Sequence, residues 1–415
     1  MPSPEEARAA AERAARTSYG RLVALLAAPT RDLALAEDAL ADAFERALRT
    51  WPENGIPGSP EGWLLTVARH RQSDLLGSAA ATRTRPLDVD PGVVHDLDPD
   101  AVGDKRLELL FACAHPAVDR AIRTPLMLQV VLGFDADQVG AAFAVPGLTM
   151  AQRLVRAKRR IKDAGIPFAV PDRSRMPGRL GSVLEAVYGC YAIDWRGTSA
   201  PTVHESMAAE ARYLADTLTT LLPEEPEVWG LAALITLSLA RAGARTEDFV
   251  PLDEQDTALW SRPMIAQGEE QLRRAGRVRA AGRVGRFELE AAIQAVHAER
   301  AETGTVDWPA VRTLYAALVE IAPTLGARVA LAAATGRVDG PRSGLSVLDG
   351  IEDPGAGRFQ PYWATRAGLL ALAEDPAAAS SYEKAISLTT DAQVRAWLGA
   401  QLADQPGGHS SASSA

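Results

Sequence analysis

Apolar and polar positions alternate along this chain with the period of a helix, not of a strand. Residues 5 to 28 give an amphipathic helix or helix pair. The next segment, 32 to 51, carries a stripe of Leu33, Ala36, Leu40, Phe44, Ala47 and Trp51, with Asp38, Asp42 and Glu45 on a different face. Residues 52 to 60 are rich in Pro, Asn and Gly and read as turns. Ser59 then caps a helix that has Pro60 at its first position. That helix carries Trp63, Leu64, Val67 and Ala68 as its apolar side, and Arg69, His70 and Arg71 as a basic cluster. Residues 77 to 103 are rich in Ala, Asp and Pro and read as a linker.

From Asp104 the helical pattern resumes, through Leu107, Leu110 and Phe111 and on to Leu126–Leu132. A short amphipathic helix follows over 135 to 145, then a Pro146-Gly147 turn, then a longer helix for which Thr149 is the expected cap. On the longer helix Met150, Leu154, Ala157 and Ile161 share one side. Gln152, Arg153, Arg156, Arg159 and Arg160 share the other. One face packs, and the other offers amide and guanidinium donors suited to base edges and phosphates in a major groove.

Residues 171 to 177 form a basic, Pro-containing hinge, and the chain beyond it is helical to about 403. Gly340-Pro341 and Asp375-Pro376 lie 35 positions apart, each opening a helix. A period near 34 with helix-turn-helix content predicts tetratricopeptide-like repeats, which stack into a protein-binding surface. The tail from 404 to 415 is low in complexity and is expected to be disordered.

Composition fits this picture. The chain has 415 residues, 47% of them hydrophobic and only 6% aromatic, which predicts an all-α fold in two or three domains. The net charge is −9, yet residues 153 to 179 hold nine Lys or Arg against two Asp. The positive charge is local, as in a protein that meets nucleic acid with one segment. Cys113 and Cys190 make neither a disulfide framework nor a zinc site, which fits a reducing compartment. No signal-type leader is read at the N-terminus, and no apolar run of about 18 residues is read anywhere, so a cytoplasmic protein with no membrane span is expected. No histidine pair has metal-ligand spacing and no Gly-rich phosphate loop occurs, so no cofactor, no metal and no enzymatic activity are expected. Cys113 reads as a small buried residue and His115 as a helix-end group.

The order of these blocks resembles the extracytoplasmic-function (ECF) sigma factors of bacterial RNA polymerase. The likeness covers residues 15 to 166 and rests on Ala36-Glu37-Asp38-Ala39, Asp42-Ala43-Phe44 and the Thr149–Lys158 helix. A narrower likeness is to the group of these factors with a C-terminal tetratricopeptide-type extension. It rests on Phe111-Ala112-Cys113-Ala114-His115-Pro116, Met150–Lys158, Ile166-Pro167-Phe168, Glu254-Gln255-Asp256 with Trp260, Ala292–Ala298 and Asp307-Trp308.

The resemblance implies sigma region 2 over 5–76, a linker over 77–103, sigma region 4 over 104–170 and a regulatory helical domain over 178–403. It implies core RNA polymerase and promoter DNA as partners, with an intramolecular contact between the sigma regions and the extension. Asp38, Asp42 and Phe44 would then bind polymerase, and Trp63, Arg69, Arg71 and Asp74 would meet the −10 element. Thr149, Gln152, Arg153, Arg156, Lys158, Arg159 and Arg160 would meet the −35 element, and Glu254, Gln255, Asp256 and Trp260 would be regulatory. The family's basic residues after the position of Asp74 are replaced here by Leu75-Leu76-Gly77-Ser78-Ala79. That departure leaves two other readings open, a DNA-binding regulator with degenerate sigma regions and a protein-interaction scaffold.

Overall fold

The computed structural model describes residues 2–80, 105–143, 145–172, 174–195, 207–245, 248–279 and 282–405. Regular structure among the described residues is entirely helical. The chain divides into two compact units, Met1–Leu214 and Ala215–Ala415. The change of unit therefore falls later than the segment at 171–177. Most of the expected linker and the expected disordered tail lie outside the described residues.

In the first unit, α1 (Pro4–Thr30), α2 (Leu33–Asn54) and α3 (Pro60–Ala80) pack against one another. The first segment is one helix, not a pair, and α3 runs on through 77–80, which the sequence assigns to the linker. Asp32 caps α2 by accepting the Leu35 N–H at 3.2 Å. Ser59 Oγ accepts the Gly62 N–H at 3.2 Å, as its position before Pro60 predicts. The buried stripe of α2 is Leu33, Ala36, Ala39, Leu40, Ala43, Ala47 and Trp51. Ala43 takes the place expected of Phe44, which is only half-buried. With α1 and α3 both close to α2, the small side chain fits the interior and the ring lies at its margin.

Four further helices complete the block that ends in the basic segment: α4 (Arg106–Cys113), α5 (Arg120–Val130), α6 (Ala136–Ala142) and α7 (Gly147–Asp163). Helix α6 starts with a reciprocal cap. Asp135 Oδ1 accepts the Gln138 N–H at 2.7 Å, and Gln138 Oε1 accepts the Asp135 N–H at 2.9 Å. The turn into α7 is very close. A Cβ on Gly140 would lie 2.6 Å from the Val145 carbonyl oxygen, so only glycine lets α6 sit on this turn. Helix α7 begins at Gly147 directly after Pro146, without a side-chain cap. Thr149 is therefore not its cap but an exposed residue of its first turn. Met150, Leu154, Ala157 and Ile161 are buried, as the pattern predicts. Helix α8 (Pro177–Trp195) packs on α4 and α5 within this unit. Helices α1 and α4 are in contact, as are α2 and α7, so the two blocks form one body.

Helix α9 (Met207–Leu221) carries the chain into the second unit. There α10 (Pro226–Leu239) packs between α11 (Arg262–Arg279) and α12 (Arg286–Thr303). The stretch Pro226–Ala244 is long and apolar enough to cross a membrane by length and composition, contrary to the expectation that no such run exists. It is 78% buried inside the protein, the environment of a core helix that is apolar all round. Six more helices follow: α13 (Trp308–Ile321), α14 (Leu325–Asp339), α15 (Pro341–Asp349), α16 (Gln360–Leu372), α17 (Ala377–Leu388) and α18 (Ala392–Ala403). Each packs on its neighbour in sequence, and the pairs open at 308, 341 and 377.

A network of polar and aromatic side chains ties the start of the second unit together. Arg300 on α12 donates to the carbonyl oxygens of Asp253 at 2.5 Å, Leu252 at 3.0 Å and Gln255 at 2.6 Å. Its guanidinium also lies 5.1 Å from the centre of the buried Trp260 ring. His297, one turn earlier, packs edge-on against Trp308 and is 8% exposed. Burial, and then the positive charge of Arg241, lowers its pKa to about 4, with Asp253 opposing the shift and Arg300 adding a smaller push. Neutral His297 therefore belongs to the folded state, while the unfolded chain takes up a proton below about pH 6.5. Stability contributed by this group is present above that pH and is lost as pH falls towards 4. We expect the unit to be about 2 kcal/mol less stable at pH 5 than at pH 7.5 through this residue alone. Urea melts at the two pH values check it; a H297Q chain with the same pH difference would contradict the assignment.

Candidate nucleic-acid interface

At about 100° per residue, the side chains of α7 separate into a buried side, an outermost line and two flanks. The outermost line is Leu148, Gln152, Val155 and Arg159, opposite the buried Met150, Leu154, Ala157 and Ile161. The Arg159 side chain is 82% exposed and only 3.6 Å from Asp163, a solvent-screened pair. One flank holds Arg153, Arg156 and Arg160. With Asp119 and Ile122 at the start of α5 they line a notch of about 430 Å³. Arg160 Nε donates to the Ala117 carbonyl at 3.3 Å, which fixes that guanidinium at the edge of the notch. Asp119 caps α5 by accepting the Ala121 N–H at 2.8 Å.

The other flank faces inward, and here the structure departs from the sequence expectation. Lys158 does not join the exposed arginines. Its ammonium donates to both carboxylate oxygens of Glu37 on α2, at 2.6 and 2.8 Å. The two side chains are 11% and 18% exposed. Burial pushes the Glu37 carboxyl up, and Lys158 opposes that shift. Lys162 pairs with Asp32 at 2.6 Å, and Arg31 Nη1 donates to the Gly165 carbonyl at 3.2 Å. Below this contact lies Cys113, fully buried, with its thiol pushed up by desolvation. His115, just past the end of α4, accepts the Ala117 N–H on Nδ1 at 3.1 Å.

The residues expected in region 2 fall on α2 and α3. Asp42 on α2 is ion-paired with Arg71 on α3, which joins one residue expected at polymerase to one expected at the −10 element. They line a shallow cleft of about 310 Å³ with Glu45, Arg49, His70 and Asp74. Asp38 is exposed. Trp63 is half-buried, packed edge-on against Trp51 with ring centres 5.5 Å apart, and Arg69 is half-buried too.

The four residues expected to regulate divide by role. Asp256 Oδ1 accepts the Ala258 N–H at 2.8 Å and so caps a short turn. Gln255 is half-buried and donates to the Val250 carbonyl at 3.4 Å, and Trp260 belongs to a hydrophobic core. Of the four, Glu254 stands exposed without a structural task of this kind. Among the described residues, no three His, Cys, Asp or Glu gather as a metal site. Sequence reasoning passes over Leu148 and Val155, although the helical wheel places both on the outer line of α7.

The chain matches the sigma-70 region 2 model over residues 15–82, and a second model, described as a family of unknown function (DUF6596), over residues 179–276. It is 34% identical to the uncharacterized protein R00370 of Rhizobium meliloti (strain 1021) over 385 residues, 90% of each chain. The chain belongs to the same family as that protein and carries a sigma-70 region 2 domain. It is also 29% identical over 146 residues to the probable ECF RNA polymerase sigma factor SigI of Mycobacterium tuberculosis, in strains CDC 1551 / Oshkosh and ATCC 25618 / H37Rv. That alignment covers 34% of this chain and 50% of SigI. No solved structure matches the chain.

Proposed function

We propose that the protein is an RNA polymerase sigma factor of ECF type that directs core polymerase to a restricted set of promoters. The observation that carries this reading is the exposed Gln152, Arg153, Arg156 and Arg159 face of α7, set behind a capped α6 and a tight turn, in the same compact unit as a sigma-70 region 2 domain. A helix presented in this way enters a major groove, where Gln and Arg make paired hydrogen bonds to bases and the flanking arginines neutralise phosphates. Helices α2 and α3 would meet polymerase and the −10 element. The helix pairs from Trp308 onward would form a tetratricopeptide-like docking surface, through which the extension regulates the sigma part in cis. The work is binding and strand separation in the cytoplasm, without catalysis.

Run-off transcription with core RNA polymerase tests this. Specific transcripts that depend on the added chain support it. Promoter binding without transcripts would replace it with the second reading, a DNA-binding regulator that no longer opens DNA. That second reading is favoured by the packing of Trp63, a residue expected at the −10 element, against Trp51.

A further inference from the structure

Two large apolar side chains stand on the line of α7 that projects farthest from the protein. Leu148 is 76% exposed and Val155 is 64% exposed. They are not scattered. Both lie beside Gln152, with Arg159 beyond and the arginine flank of Arg153 and Arg156 alongside. Leu148 is the second residue of the helix, the end from which a groove-reading helix touches base edges. In the major groove one base alone offers an apolar group, thymine with its C5 methyl.

We infer that Leu148 and Val155 are specificity-determining residues that each pack on a thymine methyl in the DNA read by α7. The inference rests on the reading of α7 as a groove helix and states what part of the sequence it selects. The two side chains are seven residues apart, two turns of helix and about 10.5 Å along its axis. A helix that follows the major groove is inclined to the duplex axis, so this length covers about two to three base steps. The bound site therefore holds two thymines, on either strand, about two to three base pairs apart, with the base hydrogen-bonded by Gln152 between them. The arginines supply charge complementarity that a protein partner of neutral surface would not require.

The test uses the full chain with core polymerase. A duplex is selected by that complex from a random-sequence pool, and its thymines are then replaced one at a time by uracil, which lacks only the methyl. Removal of one methyl is expected to weaken binding about fourfold. Two positions about two to three base pairs apart should respond. V155A should remove the response at one of them and L148A at the other, while R156Q weakens binding and keeps both responses. Both apolar residues are exposed, so neither alanine variant disturbs the core. Sequence-selective binding that ignores every thymine-to-uracil change overturns the inference and leaves α7 as a DNA helix. Absence of any selected sequence overturns the underlying reading instead. If L148A and V155A leave the duplex affinity intact but weaken association with core polymerase, the line docks on protein and the inference falls.

Discussion

Replacing Arg153 and Arg156 together by alanine is expected to lower affinity for a selected promoter duplex by about 100-fold. Both side chains are exposed on α7 and line the notch at the start of α5, so the double variant should fold as the parent does. The salt dependence separates their two tasks. An arginine that neutralises a phosphate should, once replaced, flatten the slope of log affinity against log salt by about 0.9. An arginine that reads a base edge should instead relax sequence preference on replacement and leave that slope nearly unchanged. Fluorescence anisotropy at several salt concentrations, with matched and scrambled duplexes, reads both. Affinity within about twofold of the parent at every salt would remove α7 from the interface.

The second large effect concerns stability. Lys158→Met leaves the Glu37 carboxylate largely desolvated and without its counter-charge. Breaking such a pair from one side is expected to cost about 3 kcal/mol. For a unit of this size that amounts to a fall in Tm of about 6–12 °C. The partner test is the double variant K158M/E37L, which replaces both charges by apolar groups and should recover most of the loss. A single variant that melts with the parent would mean that Glu37 readily finds water, and that the pair contributes little.

The elements are largely readable because helical periodicity is a local property. The buried side of α7 follows directly from residues three and four apart, and the caps at Asp32 and Ser59 lie next to the helices they begin. Where the sequence misleads, distant partners decide. Lys158 looks like its arginine neighbours until Glu37, 121 residues away, comes to meet it. Phe44 fits the spacing of α2, but the closeness of α1 and α3 favours Ala43 inside. Thr149 has cap chemistry, yet the backbone is already helical from Gly147. The Asp256 segment is legible as a turn, whereas the Arg300 clamp that holds residues 252–255 requires the tertiary fold.

The contact between α2 and α7 sets a limit on reach. Elements named −10 and −35 are separated by about 25 base pairs, or about 85 Å of straight duplex. Helix α2, with α3 on one side and α7 on another, has 22 residues and spans about 33 Å. Under the proposed roles of α3 and α7, this form holds both DNA-facing helices against a single helix shorter than that separation. If the proposed function holds, engaging a whole promoter is expected to part Lys158 from Glu37 and Lys162 from Asp32, so that the two halves of the first unit open like the legs of a compass. Salt would then screen the more exposed Lys162–Asp32 pair and weaken the hold on phosphate, while the largely buried Lys158–Glu37 pair, little screened, would stay closed.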